Sequence, residues 1–412
     1  MRQVIEIGDN DKESDARSLR VLAYCHDGVG LGHLSRTLKI CEHAAKLDPR
    51  MSFLIVTGSP YISLFEHGRG IDFIKLPALA KIDNRNYRPK YLPLPVEELL
   101  VCRESLILNV VKHFEPDVVL VDKAPVGVCG ELVPAIRWIR EHRPTTRLVF
   151  GMRDIEDDAE STIEQWLYHG VQNVLEACYD EIWVYGMRRL YDVVREYDLS
   201  PSIQRKLDFV GYIARTECGH PQPETNGQRE LLVTVGGGTD GETLLDVFLT
   251  GAARKIASKG VHSTVVGGPD LPRPVADRLR RQAAELPNVD WLDVAGCMNC
   301  RIRRADLVLT MGGYNTLCEI ATNRKPALVV PRCTPRLEQT IRARLWQRHN
   351  IVRSLEQADL TADSLASGLI EMLDNGPTQT EPALDMGGLR RVAARFREFK
   401  SKGADRAVAV RL

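Results

Sequence analysis

Short runs of consecutive apolar residues recur along the chain, and most are followed by a stretch with helical spacing. Since the runs are nearly all apolar rather than alternating, they are typical of strands buried on both faces of a parallel sheet. The predicted strands are 19–25, 53–57, 73–76, 116–122, 148–151, 181–185, 209–212, 231–235, 262–266, 288–294, 307–309 and 327–330. The principal helical patterns are 34–45, 95–114, 132–142, 244–257, 314–323, 360–373 and 388–399. This alternation predicts an α/β protein.

The segment 307–331 shows the pattern most clearly. An apolar run, 307–309, leads into Gly312 and Gly313, and a helical stretch follows. Pro326 ends that helix, and a second apolar run completes a βαβ unit. Glycines let a ligand approach the backbone, and free amides at a helix start favour an anionic phosphate.

The helix of this unit carries two polar residues four positions apart, Asn315 and Glu319. That spacing places them on one helix face. A carboxylate about two turns from a phosphate site is placed to accept hydrogen bonds from sugar hydroxyls. An ordinary turn with a surface glutamate accounts for the spacing equally well.

A second glycine turn follows the first predicted strand. It has the pattern GxGHxxR, formed by Gly30, Gly32, His33 and Arg36. The turn places His33 at the carboxyl edge of the sheet, where open α/β folds bind ligands. An imidazole there can act as a general base. The alternative is a packed or capping histidine.

A third glycine turn opens the second half of the chain. The polar segment 213–229, with its prolines and glycines, is typical of a linker. After the next predicted strand come Gly236, Gly237, Gly238 and Thr239, a second cradle for an anion at a helix start.

We therefore predict two doubly wound, Rossmann-like domains that face a central cleft lined by the loops of both sheets. Residues 1–18 are expected to be a disordered lead-in. The N-terminal domain spans 19–212, and the linker spans 213–229. The C-terminal domain spans 230–375. Residues 376–412 form a tail and helix, whose return to the first domain is left open.

Two further segments are candidates for acceptor contacts. The long connection 76–95 is rich in Pro, Lys, Arg and Tyr, and long loops are often functional. Arg153 and Asp154 end a predicted strand, and acidic residues follow them. An acidic helix start explains those residues slightly better than an acceptor loop does.

Charge and composition narrow the function. The 412 residues contain 55 Lys+Arg and 55 Asp+Glu, so the formal net charge is zero. This argues against nucleic acid as a partner, because its binding relies on many phosphate contacts. No apolar stretch approaches the roughly 18 residues of a membrane span, although peripheral membrane contact stays open.

The cysteines and the N-terminus indicate a cytoplasmic protein. The N-terminal residues lack the apolar region of a secretory signal. The ten cysteines show no disulfide framework, and reduced thiols fit the cytoplasm. Cys297 and Cys300 lack the second pair that a structural zinc needs, so no metal site is predicted.

At GxGHxxR, GGGTDG and MGGYNTLCEIATNRKPALVVPR…EQ, the chain resembles the MurG-like glycosyltransferases of family 28, which have the GT-B fold. It looks closest to their bacterial "predicted glycosyltransferase" relatives. The resemblance covers about residues 19–375. It implies a transferase for a nucleotide sugar, with no cofactor beyond that co-substrate.

The resemblance also implies roles for individual residues. His33 is the candidate catalytic base, and Glu319 binds the ribose. Leu292 and Val294 lie near the nucleotide base, and Glu338 and Gln339 contact the donor sugar. The donor diphosphate is bound by Gly236, Gly237, Gly238, Thr239, Gly312, Gly313, Tyr314 and Asn315. The acceptor loop is assigned to Gly30, Gly32, Arg36, Arg153 and Asp154.

The chain departs from the family at two places. Its first glycine loop, GVGLGH, is shorter than the loop that holds a lipid diphosphate, and Arg332 and Arg336 replace polar or aromatic residues near the donor sugar. The expected reaction is a metal-independent, inverting transfer from a UDP-sugar to an acceptor that the sequence does not identify. Alternatives are a UDP-sugar hydrolase or epimerase of the same fold, and a non-catalytic nucleotide-sugar-binding protein. The sequence leaves the oligomeric state open.

Overall fold

The computed structural model of the protein describes residues 18–26, 31–65, 67–82, 86–215, 227–375 and 384–409. Several predicted features lie outside the described residues: 1–17 of the lead-in, Gly30 of the first glycine loop, 216–226 of the linker and 376–383 of the tail. Among the described residues, no helix combines the length and apolar character that crossing a membrane requires.

The first half of the chain alternates strands and helices. Its strands are β1 (Arg20–Cys25), β2 (Ser52–Thr57), β3 (Ile71–Lys75), β4 (Leu79–Lys81), β5 (Tyr87–Pro89), β6 (Val118–Asp122), β7 (Arg147–Arg153), β8 (Glu181–Tyr185) and β9 (Leu207–Phe209). Its helices are α1 (Gly32–Leu47), α2 (Val96–Phe114), α3 (Val133–His142), α4 (Ala159–Tyr168), α5 (Val171–Cys178), α6 (Val193–Glu196) and α7 (Pro201–Gln204).

Within the described ranges, these strands form a seven-stranded parallel sheet in the order β3-β2-β1-β6-β7-β8-β9. Alternate residues of β1 enter two different cores. Val21 packs in one core with Leu34 of α1, whereas Leu22 packs in the other with Ile107 of α2 and Ile136 of α3. This is why the strand is apolar throughout. Since β1 lies between β2 and β6, the strand order reverses there, and a ligand crevice is expected at the carboxyl ends of β1 and β6.

The second half builds a second sheet. Its strands are β10 (Arg229–Thr234), β11 (Val261–Val266), β12 (Val289–Leu292), β13 (Leu307–Thr310), β14 (Ala327–Val329) and β15 (Arg353–Ser354). Its helices are α8 (Glu242–Val247), α9 (Ala253–Ala257), α10 (Arg273–Ala284), α11 (Met298–Arg304), α12 (Tyr314–Thr322), α13 (Glu338–Arg348), α14 (Ala362–Asn375) and α15 (Gly388–Ala409). A π-helical turn, Phe248–Ala252, joins α8 to α9.

The second sheet is also parallel, in the order β12-β11-β10-β13-β14-β15 over the described residues. Thr234 of β10 and Thr310 of β13 are paired at its carboxyl edge. The glycine turns that follow these two strands are therefore neighbours. Each half thus places glycine turns at a point where the strand order reverses, as predicted.

Two of the differences between the structure and the predicted elements lie in the first half of the chain. The segment 76–95 contains a two-stranded antiparallel hairpin, β4–β5, rather than an unstructured loop. The strand predicted at 209–212 ends at Phe209. Gly211 has a φ of +88°, which turns the chain away, and the amide of Tyr212 then donates to the carbonyl of Asp385.

The last helix packs on the first half of the chain. Residues of α15, including Val392 and Phe396, share one core with Leu38 of α1 and Phe53 of β2. Arg391 donates to the Val210 carbonyl over 2.8 Å. The C-terminal segment therefore spans both halves.

Candidate functional site

His33 and Asp122 are in contact at the carboxyl edge of the first sheet. His33 lies in the first turn of α1, and its Nδ1 is 2.5 Å from Oδ2 of Asp122, the last residue of β6. Since β6 is hydrogen-bonded to β1, this carboxylate lies at the edge where the first glycine loop leaves the sheet. The Asp122 side chain is 2% exposed and that of His33 14%.

The contact with Asp122 indicates the tautomer of His33. Two acceptor lone pairs 2.5 Å apart would repel, so we assign the proton to Nδ1, which donates to Asp122, while Nη2 of Arg36 also lies 3.0 Å from this nitrogen. The other nitrogen, Nε2, is then unprotonated and has no partner among the described residues. Burial lowers the pKa of His33 to about 4, a shift that Asp122 opposes and Arg36 adds to. At neutral pH His33 is therefore an uncharged base held in one orientation.

Arg36 holds the carboxylate from its other side. Its Nη2 donates to both oxygens of Asp122, over 2.8 and 2.7 Å, and its Nε donates to Oδ1 over 3.1 Å. Its guanidinium lies 5.4 Å from the Tyr185 ring centre and 5.3 Å from that of Tyr314. Arg36 is fully buried and positions Asp122. Its predicted contact with the acceptor stays a prediction.

The starts of α1 and α12 meet. Nδ2 of Asn315 donates to the carbonyl of Gly32 over 2.9 Å, and Gly32 immediately precedes His33. The other amide atom of Asn315, Oδ1, is buried without a partner among the described residues. Two helix N-termini therefore converge beside His33, and each favours negative charge.

The glycines of the second half divide into two kinds. A side chain on Gly236 or Gly313 would meet no atom within 4 Å, so the space beside both is open. A Cβ on Gly238 would lie 2.5 Å from the Gly267 carbonyl, and one on Gly312 2.8 Å from Val329. Gly236, Gly238 and Gly312 have positive φ, of 66°, 99° and 84°. Packing and backbone shape thus explain glycine at 238 and 312, and backbone shape alone explains it at 236. The open space beside Gly236 and Gly313 lets a ligand approach.

The backbone groups of the glycine turn 236–239 differ in whether they already have hydrogen-bond partners. The amide of Gly238 donates to the Val235 carbonyl over 3.3 Å, which argues against its predicted contact with a diphosphate. The carbonyl of Gly237 accepts from Asp270 over 2.7 Å. Thr239 is exposed beside it. The predicted diphosphate contacts of Gly237 and Thr239 stay predictions.

Tyr314 and Glu319 have their side chains engaged between the two halves. The Tyr314 hydroxyl donates to the Tyr185 carbonyl over 2.9 Å and accepts from the Ile213 amide over 3.0 Å. Only the amide of Tyr314 is thus left for a diphosphate. Glu319 is buried, and Lys39 of α1 donates to its Oε1 over 2.5 Å. The predicted ribose contact is therefore not available to Glu319 in this conformation.

The predicted donor-sugar residues surround Arg332. Its Nη2 donates to Glu338 over 2.6 Å and its Nη1 to Asp240, beside the glycine turn, over 2.9 Å. Glu338 is buried, and its Oε2 has no partner within the described ranges, so it can accept from a ligand. Gln339, oriented so that both amide atoms are satisfied, donates to the Met311 carbonyl and accepts from Arg332. Its side chain therefore does not face a sugar, contrary to prediction.

Asp154, also predicted to contact the acceptor, forms a buried ion pair. Its two carboxylate oxygens accept from Nε and Nη2 of Arg342, over 2.8 and 2.7 Å, and both side chains are buried. Arg153 differs, because its Nε is buried with no partner among the residues described. Its Nη2 lies 3.3 Å from Glu156.

The predicted base contacts lie at the edge of the second sheet. Leu292 ends β12, and Val294 is exposed beyond it. The Leu292 carbonyl accepts from the Gly267 amide over 3.0 Å, and the turn that begins at Gly267 packs against Gly238. The structure thus connects this loop to the glycine turn, and base binding stays a prediction.

Sequence reasoning missed several residues of this site. Asp122 ends β6 and Lys123 follows it. His26 follows β1, with its ring centre 5.6 Å from that of His33. Nδ1 of His26 is buried and has no partner in the described part of the chain. A signal for His26 existed, because it immediately follows the first predicted strand. Among the described residues, no three His, Cys, Asp or Glu side chains are placed to hold a metal ion.

Comparison with known proteins gives matches in both sequence and fold. A family profile described as "Glycosyltransferase family 28 C-terminal domain" matches residues 232–397. A curated relative from Phenylobacterium zucineum (strain HLK1) is 29% identical over 167 residues, which are 39% of this chain and 44% of the relative. It is named UDP-N-acetylglucosamine--N-acetylmuramyl-(pentapeptide) pyrophosphoryl-undecaprenol N-acetylglucosamine transferase. The chain thus spans less than half the length of this relative.

Two solved structures extend the likeness to almost the whole chain. Acinetobacter baumannii MurG has a TM-score of 0.56 at 13% identity, covering 92% of this chain and 99% of its own. The UDP-GlcNAc 2-epimerase of Neisseria meningitidis, bound to UDP-GlcNAc, has a TM-score of 0.57 at 12% identity, covering 92% and 99%. At such identities the likeness shows the fold alone. These findings confirm the GT-B fold and the resemblance to MurG-like family 28 glycosyltransferases.

Proposed function

We propose that this protein, whose residues 232–397 match the family 28 C-terminal domain, is a glycosyltransferase that uses a UDP-sugar. It transfers the sugar to an acceptor hydroxyl with inversion and without a metal ion. His33 accepts the hydroxyl proton on Nε2, and Asp122 stabilises the imidazolium that forms. The amides at the start of α12 and the open glycine turn stabilise the leaving diphosphate.

The contact between the two helix starts carries this proposal. Asn315 belongs to the helix that points at the predicted diphosphate, and it touches Gly32, the residue before the proposed base. An inverting displacement needs the base and the leaving group close together, on opposite sides of one carbon atom. The contact between Asn315 and Gly32 supports this arrangement, because it joins the start of α12 to the residue before His33 from the other half of the chain.

The test is release of UDP from UDP-GlcNAc, UDP-glucose and UDP-galactose, with and without a panel of sugar and sugar-phosphate acceptors. We expect slow release alone and faster release with at least one acceptor. Fast release without any acceptor would instead indicate a hydrolase. If UDP does not bind, as measured by calorimetry, the nucleotide assignment is wrong.

A matched pair of glycine variants locates the diphosphate in the same assay. Gly313→Ala puts a methyl group into open space at the start of α12, at an ordinary φ of −59°. It should fold normally and weaken UDP binding about 10-fold or more, the equivalent of one charge-assisted hydrogen bond. Gly68→Ala also meets no atom within 4 Å, but lies before β3, so UDP binding should not change. Equal affinities for the two variants would place the diphosphate elsewhere.

The pH dependence of kcat/KM should reflect the environment of His33. The base works only when unprotonated, and burial lowers its pKa to about 4. Activity should therefore stay level as the pH falls from 7.5 to about 5.5, and decline as the pH approaches the folded pKa. The measurement is UDP release under kcat/KM conditions in buffers of constant ionic strength. A decline centred near pH 6.5, the ordinary histidine value, would contradict this assignment.

A further inference from the structure

Beside His33, three basic side chains converge on one residue, Glu156. Lys123 follows β6, Arg153 ends β7, and Arg336 comes from the segment before α13 in the other half. Nζ of Lys123 lies 3.6 Å from Oε2 of Glu156, and Nη2 of Arg153 lies 3.3 Å from the same oxygen. Nη1 of Arg336 is 3.5 Å from the Glu156 carbonyl. We name Lys123, Arg153 and Arg336 the basic triad.

The triad has more donors than the protein satisfies. At 3.6 Å the Lys123 ammonium is attracted to Glu156 but makes no proper hydrogen bond. The Nε of Arg153 is buried without a partner, and Arg336 makes one long contact, counting only the described residues. The nearby Glu338 already accepts from Arg332. Buried donors without acceptors cost free energy unless a ligand supplies oxygen atoms.

Lys123 is held at this position under strain. Its φ is +67°, a left-handed conformation that is unfavourable for residues other than glycine. Its amide donates to the Gly151 carbonyl over 2.9 Å, which fixes the residue between β6 and β7. Burial, then Arg153 and Arg336, lower the pKa of Lys123 well below its ordinary value. A second anion here would relieve this repulsion.

We propose that the basic triad is a subsite for an anionic group, a carboxylate or phosphate, carried by one of the two substrates that meet at His33. The group accepts hydrogen bonds from Lys123 Nζ, Arg153 Nε and the Arg336 guanidinium, and Glu156 keeps the three cations oriented. The subsite is separate from the glycine turns that bind the diphosphate. It rests on the proposed function, since His33 and a UDP-sugar define the substrates. It extends that function by assigning a charged substrate.

Two titrations by calorimetry, at constant ionic strength, test the subsite and identify its source. Inorganic phosphate is titrated into protein saturated with UDP, so that the diphosphate site is already filled. In parallel, UDP-glucuronate is compared with UDP-glucose. Both titrations are repeated with Lys123→Met. Arg336→Gln serves as a second variant in case Lys123→Met folds poorly. The control, Lys112→Met, removes a lysine from the end of α2.

We expect one of the two titrations to report an anion site that Lys123→Met weakens about 10- to 100-fold, as for the loss of hydrogen bonds to a charged group. Phosphate binding would place the anion on the acceptor. A preference for UDP-glucuronate would place it on the donor sugar. If neither occurs, or if Lys112→Met has the same effect, the subsite is refuted. If UDP itself does not bind, the proposed function is refuted. Phosphate binding to the basic triad can then still be measured without UDP.

Discussion

His33→Ala should lower kcat by roughly 10²- to 10⁴-fold, the usual contribution of a general base, while UDP affinity stays within about twofold. The substitution removes Nε2, the nitrogen that takes the acceptor proton. It leaves the predicted diphosphate site intact, because the amides of α12 belong to the other half of the chain. The measurements are the acceptor-dependent rate and the Kd for UDP.

The His33→Ala variant should fold, so a loss of activity would reflect catalysis rather than misfolding. Asp122 still has Arg36, which donates to both carboxylate oxygens, so no buried charge is left unpaired. His113→Ala, on the exposed surface of α2, is the matched control and should keep full activity. His26→Ala separates the neighbouring histidines. If His26→Ala abolishes turnover while His33→Ala retains it, His26 is the base and the role of the His33–Asp122 pair is wrong.

The features that the sequence could predict depend only on residues close together in the chain. A glycine turn between an apolar run and a helical pattern needs only neighbouring residues, so β1 with α1 and β13 with α12 were found. His33 was found for the same reason. Asp158, one of the acidic residues after β7, caps α4 by accepting from the Ser161 amide over 2.9 Å. For this residue the helix-start interpretation is confirmed.

What the sequence could not predict depends on strand order and on how the halves meet. Asp122 is 89 residues from His33, and they meet only because β6 pairs with β1. Glu319 and Lys39 are 280 residues apart, and their ion pair needs α12 to pack on α1. The motif marks Glu319 as polar and on the right helix face, but it carries no information about a lysine from the other half. The buried ion pairs of Arg36 and Asp154 could not be predicted for the same reason.

Arg342→Met should destabilise the protein by about 3–5 kcal/mol, the usual cost of removing one partner of a buried ion pair. Asp154 would be left buried with only the amide of Ile155 as a donor. Arg342 also lies 5.7 Å from the Tyr314 ring centre and donates to the Gly312 carbonyl over 3.4 Å. It therefore ties the start of α12 to the end of β7 in the other half.

The same helix supplies the control. Arg344→Met removes an arginine two residues along α13, whose partner, Glu356, lies 2.8 Å away. Because the Arg344 side chain is 56% exposed, that loss should cost less than about 1 kcal/mol. The two variants differ in burial and not in chemistry, and urea unfolding measures both.

A double variant, Arg342→Met with Asp154→Leu, should recover much of the loss, since it leaves no unpaired charge. If Arg342→Met is no worse than Arg344→Met, the buried pair does not hold the halves together, and their contact must depend on Tyr314 and on the hydrogen bond between Asn315 and Gly32.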